Sequence, residues 1–243
     1  MLPPATEQVW SFLKDQPILG GFVLIGGSAL ALRIGHRLSE DLDFVWVEPR
    51  LPRARLDALR RAAEAGCFAL ARQEDEAAVV EFAEAGLDLL DYQQNYLVNR
   101  GVKVSFFAPE RPLARVLTGA PESKARVATL AELFKAKSLV SAQRSKTRDW
   151  LDLYLLLKEH GFTLQDYRAA FVEADVASQC DTGLSRLCSG VPQSDDEGYA
   201  HLLAHPPTLV EMRAFFAARR DEFEIELASK AFEDRRQAGG PEP

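Results

Sequence analysis

Apolar positions open the chain at helical spacing: Val9, Phe12 and Leu13 share one face of residues 5–15, and Pro17 stops the pattern. Four consecutive apolar residues, Phe22, Val23, Leu24 and Ile25, then lead into Gly26, Gly27 and Ser28. A good helix-forming stretch, residues 29–34, follows and is closed by Gly35, so this segment predicts strand, tight turn, helix. Leu42, Phe44 and Trp46 alternate with Asp41, Asp43, Val45 and Val47 and predict a second strand, ended by Pro49, with Asp41 and Asp43 on one face. Leu56, Leu59 and Ala63 predict a helix over residues 53–65, before Gly66. Between 67 and 98 the pattern is weak, with strands expected near 68–71 and 96–98. Residues 102–107 alternate as a strand after the turn at Gly101, with Pro109 and Pro112 beyond it. From Thr129 onward the pattern is helical, near 130–142, near 147–160 and again beyond 165. Strands early and helices late predict an α+β chain, a mixed β-sheet flanked by helices followed by a mainly α-helical part. We place the boundary between residues 1–115 and 116–243.

Composition narrows the class without changing this picture. The 243 residues are 47% hydrophobic and 27% charged, with 15 Gly and 13 Pro spread thinly, which excludes a disordered or fibrous chain. The apolar runs are too short to cross a bilayer, and the first residues lack the basic start and apolar stretch of a signal peptide, so no membrane partner and a cytoplasmic location are expected. Cys67, Cys180 and Cys188 form no metal-type spacing and read as structural thiols in a reducing compartment.

Net charge is −7, against a protein that coats nucleic acid through bulk charge. The whole excess lies in residues 161–243, which carry 15 acidic and 8 basic side chains. Residues 111–148 run the other way, with nine basic side chains (Arg111, Arg115, Lys124, Arg126, Lys135, Lys137, Arg144, Lys146 and Arg148) against Glu122 and Glu132. Such a stretch suits a phosphate-bearing ligand, or simply a solvated helix face.

Two features carry chemistry. Carboxylates at i and i+2 on a strand project from one face and repel unless cations lie between them, which makes Asp41 and Asp43 candidate metal ligands. Gly26, Gly27 and Ser28 stand at a helix start, where glycines allow close backbone approach and N–H groups bind phosphate. The Ser28 hydroxyl either caps that helix or donates to a phosphate oxygen. Each signal is weak alone; their order along the chain makes them specific together.

Residues 25–32 and 37–44, with Gly26, Gly27, Ser28, Arg37, Ser39, Asp41 and Asp43, resemble the first motif of polymerase-β-type nucleotidyltransferases, and more closely the AbiEii/AbiGii toxin group. The resemblance continues through residues 102–107, 129–137 and 148–154, and so covers roughly 20–158. It implies a nucleotidyltransferase domain over residues 1–115, and a nucleoside triphosphate (NTP) substrate. Two metal ions, expected to be Mg2+, are then held by Asp41 and Asp43. Lys137 is implied to contact the triphosphate and the distal acid is implied at Asp152 or Asp149; Gly26, Gly27, Ser28, Arg37 and Ser39 fall in the nucleotide-binding motif. The implied role is the toxin of a bacterial toxin–antitoxin or phage-defence pair, with RNA, the 3′ end of tRNA in particular, as acceptor and a cognate antitoxin as partner. The alternatives are the same chemistry on a small molecule or a protein hydroxyl, and a nucleotide-binding module without turnover.

One departure bears on that choice. Many enzymes of the superfamily carry a third carboxylate on a later strand, where this chain has Ser105, a poor metal ligand and a poor base. The base role then falls to Asp149, to Asp152 or to neither. Several residues keep a structural reading: Asp152 as a partner of Arg148, His36 and Arg37 as solvent-facing loop residues, and His201 with His205 as structural histidines. A phosphate on Ser39 would put negative charge beside the metal pair and block triphosphate binding. Residues 161–243 carry no motif.

Overall fold

The computed structural model describes residues 1–99 and 101–238; the last five residues of the expected helical part lie outside it. The chain forms two compact units, residues 1–136 with 202–204, and residues 137–201 with 205–243.

The first unit is built on a six-stranded mixed sheet of β1 (Phe22–Ile25), β2 (Leu42–Trp46), β3 (Leu70–Gln73), β4 (Gln93–Val98), β5 (Val102–Phe107) and β6 (Arg126–Val127), in the spatial order β3-β4-β5-β2-β1-β6. β1 runs antiparallel to β2 and parallel to β6, while β2 runs parallel to β5. One face is apolar: Phe22, Leu24, Leu42, Phe44, Val104, Phe106, Tyr96 and Val98 are all buried. Helix α1 (Pro4–Leu13) stacks Trp10 on Phe44, 6.3 Å between centroids, and Phe44 stacks on Phe106 at 5.2 Å. From α3 (Arg53–Ala65), Arg55 lies over the rings of Phe22 and Trp46. The alternation that buries this face turns the other side chains of β4 and β5 toward the opposite, half-exposed face.

Local readings are met closely at β1, β2, α3 and β5. The expected turn after β1 is absent: α2 (Gly26–Ile34) starts at once, because Gly26 adopts φ +76° and makes the corner within one residue. The weak segment holds β3 and β4, with α4 (Glu76–Glu84) between them, capped by the Asp75 carboxylate. Like α4, two further elements have no counterpart in the expected pattern: α5 (Arg111–Val116), which takes Pro112 into its first turn, and the two-residue β6.

Helix α6 (Leu130–Gln143) carries the chain from one unit into the other. In the second unit α7 (Thr147–Glu159) is the core helix, with Trp150, Leu151, Leu153 and Leu156 essentially inaccessible. Tyr167 and Phe171 of α8 (Leu164–Glu173), Leu187 of α9 (Cys180–Ser189), and Met212 and Phe216 of α10 (Leu209–Ala238) complete it. Gly183 lets the Tyr167 hydroxyl approach, where it hydrogen-bonds Ser141 at 2.7 Å.

Candidate functional site

The sharp corner between β1 and α2 sets the geometry of the first unit's candidate site. Ile25 pairs in register with Asp43, so the carboxylate leaving β2 at that point faces the residue just beyond β1. A Cβ built on Gly26 would stand 2.9 Å from Asp43 Oδ2, so only glycine leaves the carboxylate this position. Gly27 is equally constrained: a Cβ there would meet Arg37 Nη2 at 2.6 Å and Ser39 Oγ at 2.7 Å. Asp41 is exposed and Asp43 half-exposed.

Ser28 is 1% exposed and does not cap α2: its hydroxyl donates to the Asp41 carbonyl and lies 3.1 Å from Ser39 Oγ. That bond ties the acidic segment to the helix start. Among the described residues no side chain caps α2, which leaves the backbone N–H groups at its start available to a phosphate. Arg37 is 5% exposed, donates to the Leu38 carbonyl and packs on Gly27, which corrects its reading as a solvent-facing loop residue. Ser39, 8% exposed, lies against Gly27 and Ser28, so a phosphate on it would have to displace that packing.

The chemistry of this donor set fits a hard divalent cation, which is commonly held by one or two carboxylates, with water and substrate phosphate filling the other positions. Among the described residues no group of three or more His, Cys, Asp or Glu side chains gathers for a metal. That includes His201 and His205: a 3-10 turn at Ala200–Leu202 removes the helical spacing the pair would need. Ser105 stands in register beside Asp43, so β5 brings a hydroxyl to the position where a third carboxylate was sought.

The residues expected from the second unit assemble around one ammonium. Lys137 Nζ lies 2.6 Å from Asp149 Oδ1 and 2.7 Å from Asp152 Oδ2, with all three side chains buried. Arg144 adds a bond to the other Asp149 oxygen at 2.8 Å. Burial pushes the Asp149 carboxyl up, but Lys137 and Arg144 outweigh it and hold the group below its ordinary range. Arg148 pairs instead with Glu197 and the Gly198 carbonyl, so the Asp152–Arg148 pairing is replaced by Asp152–Lys137. Spacing put Asp149 and Asp152 on one face; their common partner needed the packing of α6 on α7.

Sequence reasoning missed two further arrangements. Asn95 and Gln73 continue the Asp43–Ser105 row across the sheet, a placement with no local signal. At least six of the nine basic residues in 111–148 are engaged by carboxylates, as Lys124–Asp15, Arg126–Glu132, Lys137–Asp149, Arg144–Asp149, Lys146–Asp195 and Arg148–Glu197.

The profile of the nucleotidyl transferase AbiEii toxin family of type IV toxin–antitoxin systems matches residues 11–239. The chain belongs to the AbiEii family. A family-wide match from α1 to the end of α10 takes in both units, including residues 161–243, which showed no motif. An uncharacterised protein of Aquifex aeolicus (strain VF5), aq_aa25, is 29% identical over 149 residues, 61% of this chain and 64% of that protein, so the match spans under two thirds of that relative. Among solved structures, MenT4, the nucleotidyltransferase toxin Rv2826c from Mycobacterium tuberculosis H37Rv, aligns over 87% of this chain and 79% of its own with a TM-score of 0.50 and 17% identity. At that identity the likeness speaks to the fold, which agrees with the α+β architecture. Among the described residues no helix is long and apolar enough to cross a membrane.

Proposed function

We propose that this AbiEii-family protein is the toxin of a type IV toxin–antitoxin pair and a metal-dependent nucleotidyltransferase, moving a nucleoside monophosphate from an NTP to the 3′-terminal hydroxyl of an RNA, tRNA in particular. The observation that carries the reading is the Asp43 carboxylate seated against Gly26 at the open start of α2, with Asp41 two residues before it.

In this reading Asp41 and Asp43 hold divalent cations, expected to be Mg2+, which supply charge stabilisation for the triphosphate and for both oxygens of an in-line displacement. The α2 start receives the β- and γ-phosphates through backbone N–H groups, and Arg37 behind Gly27 adds positive potential there. In the second unit Lys137 forms a buried group with Asp149 and Asp152, whose two bonds restrict its ammonium. The acceptor oxygen bonds to the α-phosphorus, the bond to the pyrophosphate oxygen breaks, and the hydroxyl proton passes to solvent. Asp149 is a weak base, its carboxyl being held below the ordinary range, and Ser105 is no base at all.

The test is purified protein with Mg2+, each α-labelled NTP in turn, and total tRNA. Label in RNA, lost in Asp43→Asn, supports the assignment. A second reading, the same chemistry on a protein or small-molecule hydroxyl, is favoured by the internal pairing of the basic stretch; label appearing there and not in RNA would select it. NTP binding without transfer to any acceptor would leave a binding module. Growth arrest on expression, abolished by Asp43→Ala, tests the toxin role.

A further inference from the structure

Across the half-exposed face of the sheet runs a row of polar side chains in strict register: Asp43 on β2 pairs with Ser105 on β5, Ser105 with Asn95 on β4, and Asn95 with Gln73 on β3. Directly paired residues project from the same face. The row ends at a cavity of about 430 Å³ whose lining includes Gln73, Gln93 and Asn95, with Val79, Ala83 and Leu87 as apolar neighbours. Gln93 Nε2 donates to Asn95 Oδ1 at 3.2 Å, which orients the Asn95 amide. The lining also carries Arg72 and three acids, Glu74, Asp75 and Asp88, of which Asp75 caps α4 and Asp88 accepts from the Leu90 N–H and pairs with Arg53 at 2.7 Å. Beside these charges the cavity offers a ligand the amide edges of Gln73, Gln93 and Asn95 next to apolar surface, the complement of a planar heteroaromatic ring with donors and acceptors on its rim.

Strand order gives the direction of approach. β1 and the glycine corner lie on one side of β2; β5, β4 and β3 lie on the other. If the leaving pyrophosphate occupies the corner, an in-line displacement at Asp43 requires the nucleophile to arrive from the opposite side, over Ser105. Strands sit about 4.8 Å apart, so Asn95 is roughly 10 Å and Gln73 roughly 14 Å along the row from Asp43. That span suits one nucleotide, its hydroxyl at the reacting phosphorus and its base in the cavity.

We propose that the cavity at Gln73, Gln93 and Asn95 is the acceptor subsite, where Asn95 and Gln73 hydrogen-bond the edge of the terminal nucleobase of the RNA receiving the nucleotide. This rests on the nucleotidyltransferase reading above and names the acceptor side of that site.

Four tRNA transcripts differing only in the 3′-terminal base serve as probes for the full-length protein, for Asn95→Ala, Gln73→Ala and Asn95→Asp, and for Asp43→Asn. One good amide–base contact discriminates by tenfold or more, so Asn95→Ala and Gln73→Ala are expected to raise the acceptor KM at least about tenfold and to flatten the base preference, while the KM for NTP stays within about twofold. Asn95→Asp keeps shape but only accepts, so it is expected to shift preference toward bases presenting an exocyclic amino group (adenine, cytosine and guanine) and away from uracil, an effect that a merely structural asparagine would not produce. If the wild type transfers to the transcripts and the three variants keep its acceptor KM and preference, the acceptor subsite is overturned and the transferase stands. If the wild type transfers to none of them, the RNA reading falls and takes this subsite with it.

Discussion

Replacing Glu132 by glutamine isolates the charge of one buried carboxylate at nearly constant shape. Glu132 is 3% exposed and accepts four bonds: from Arg126 Nη1 and Nη2 at 2.7 and 2.8 Å, and from the N–H groups of Gly119 and Thr129 at 2.8 Å each. Its own N–H bonds back to Thr129 Oγ1 at 3.2 Å, so the same carboxylate closes a capping box at the start of α6. Burial raises its pKa, but Arg126 and the two backbone donors prevail and bring it from the ordinary 4.5 down to about 2. A shift of that size corresponds to about 3 kcal/mol favouring the folded state. The cost of breaking a buried ion pair by removing one partner, about 3–5 kcal/mol, points to the same figure. An amide nitrogen cannot accept, so in Glu132→Gln donors of Arg126 and of the backbone face a donor. We expect the unfolding free energy of this variant, from urea titration at pH 7, to fall by about 3 kcal/mol. Because the folded state binds the proton more weakly, the contribution is complete above pH 4.5 and drains as pH falls toward about 2. Acid loss of stability should therefore be shallower in the variant than in the wild type. A variant within 1 kcal/mol of the wild type at pH 7, or one with the same acid loss, refutes the argument.

Gly26→Ala puts a side chain at φ +76° and 2.9 Å from Asp43 Oδ2; it is expected to cost about 1–3 kcal/mol in a urea melt. Displacing the carboxylate should lower NMP transfer about a hundredfold, and unimpaired transfer would contradict the corner geometry. Lys137→Ala leaves Asp149 and Asp152 buried without their shared cation and is expected to lower stability by about 3–5 kcal/mol, read by chemical denaturation. The Asp149 part of that stability exists at neutral pH and is lost only as pH drops below the ordinary carboxylate value of 3.8, so a wild-type loss beginning near pH 6 would count against it. Ser39→Glu forces a charge between Gly27 and Ser28; a melting temperature equal to the wild type would show that the pocket around Ser39 is not closed, whereas several degrees of loss are expected.

Where local chemistry dominates, the chain could be read directly. Residues 53–65 carry their apolar face and closing Gly66 in the sequence, and α3 spans Arg53–Ala65. β5 alternates apolar and polar positions from Val102 to Phe107 and is found there. Asp41 and Asp43 stood out because they follow Gly26, Gly27 and Ser28 at a fixed distance, an order that is written along the chain. β6, two residues long, escaped because its existence depends on β1 alongside it and not on any run of its own. The basic stretch shows the same limit: charge counted along the chain says nothing of carboxylates brought in from Asp15, Asp195 or Glu197.

By itself, then, the order of residues determined most of the strands and helices, their polar faces and the acid pair that is a candidate for metal, since propensity and periodicity act over one or two turns of chain. Only the tertiary structure decided that Asp43 rests on Gly26, that Ser28 spends its proton on Asp41, that Lys137 joins Asp149 to Asp152, and that Asn95 and Gln73 extend the Asp43 row. Each of these is a contact between segments distant in sequence, chosen by strand register or helix packing, and register is a property of two segments that neither one contains.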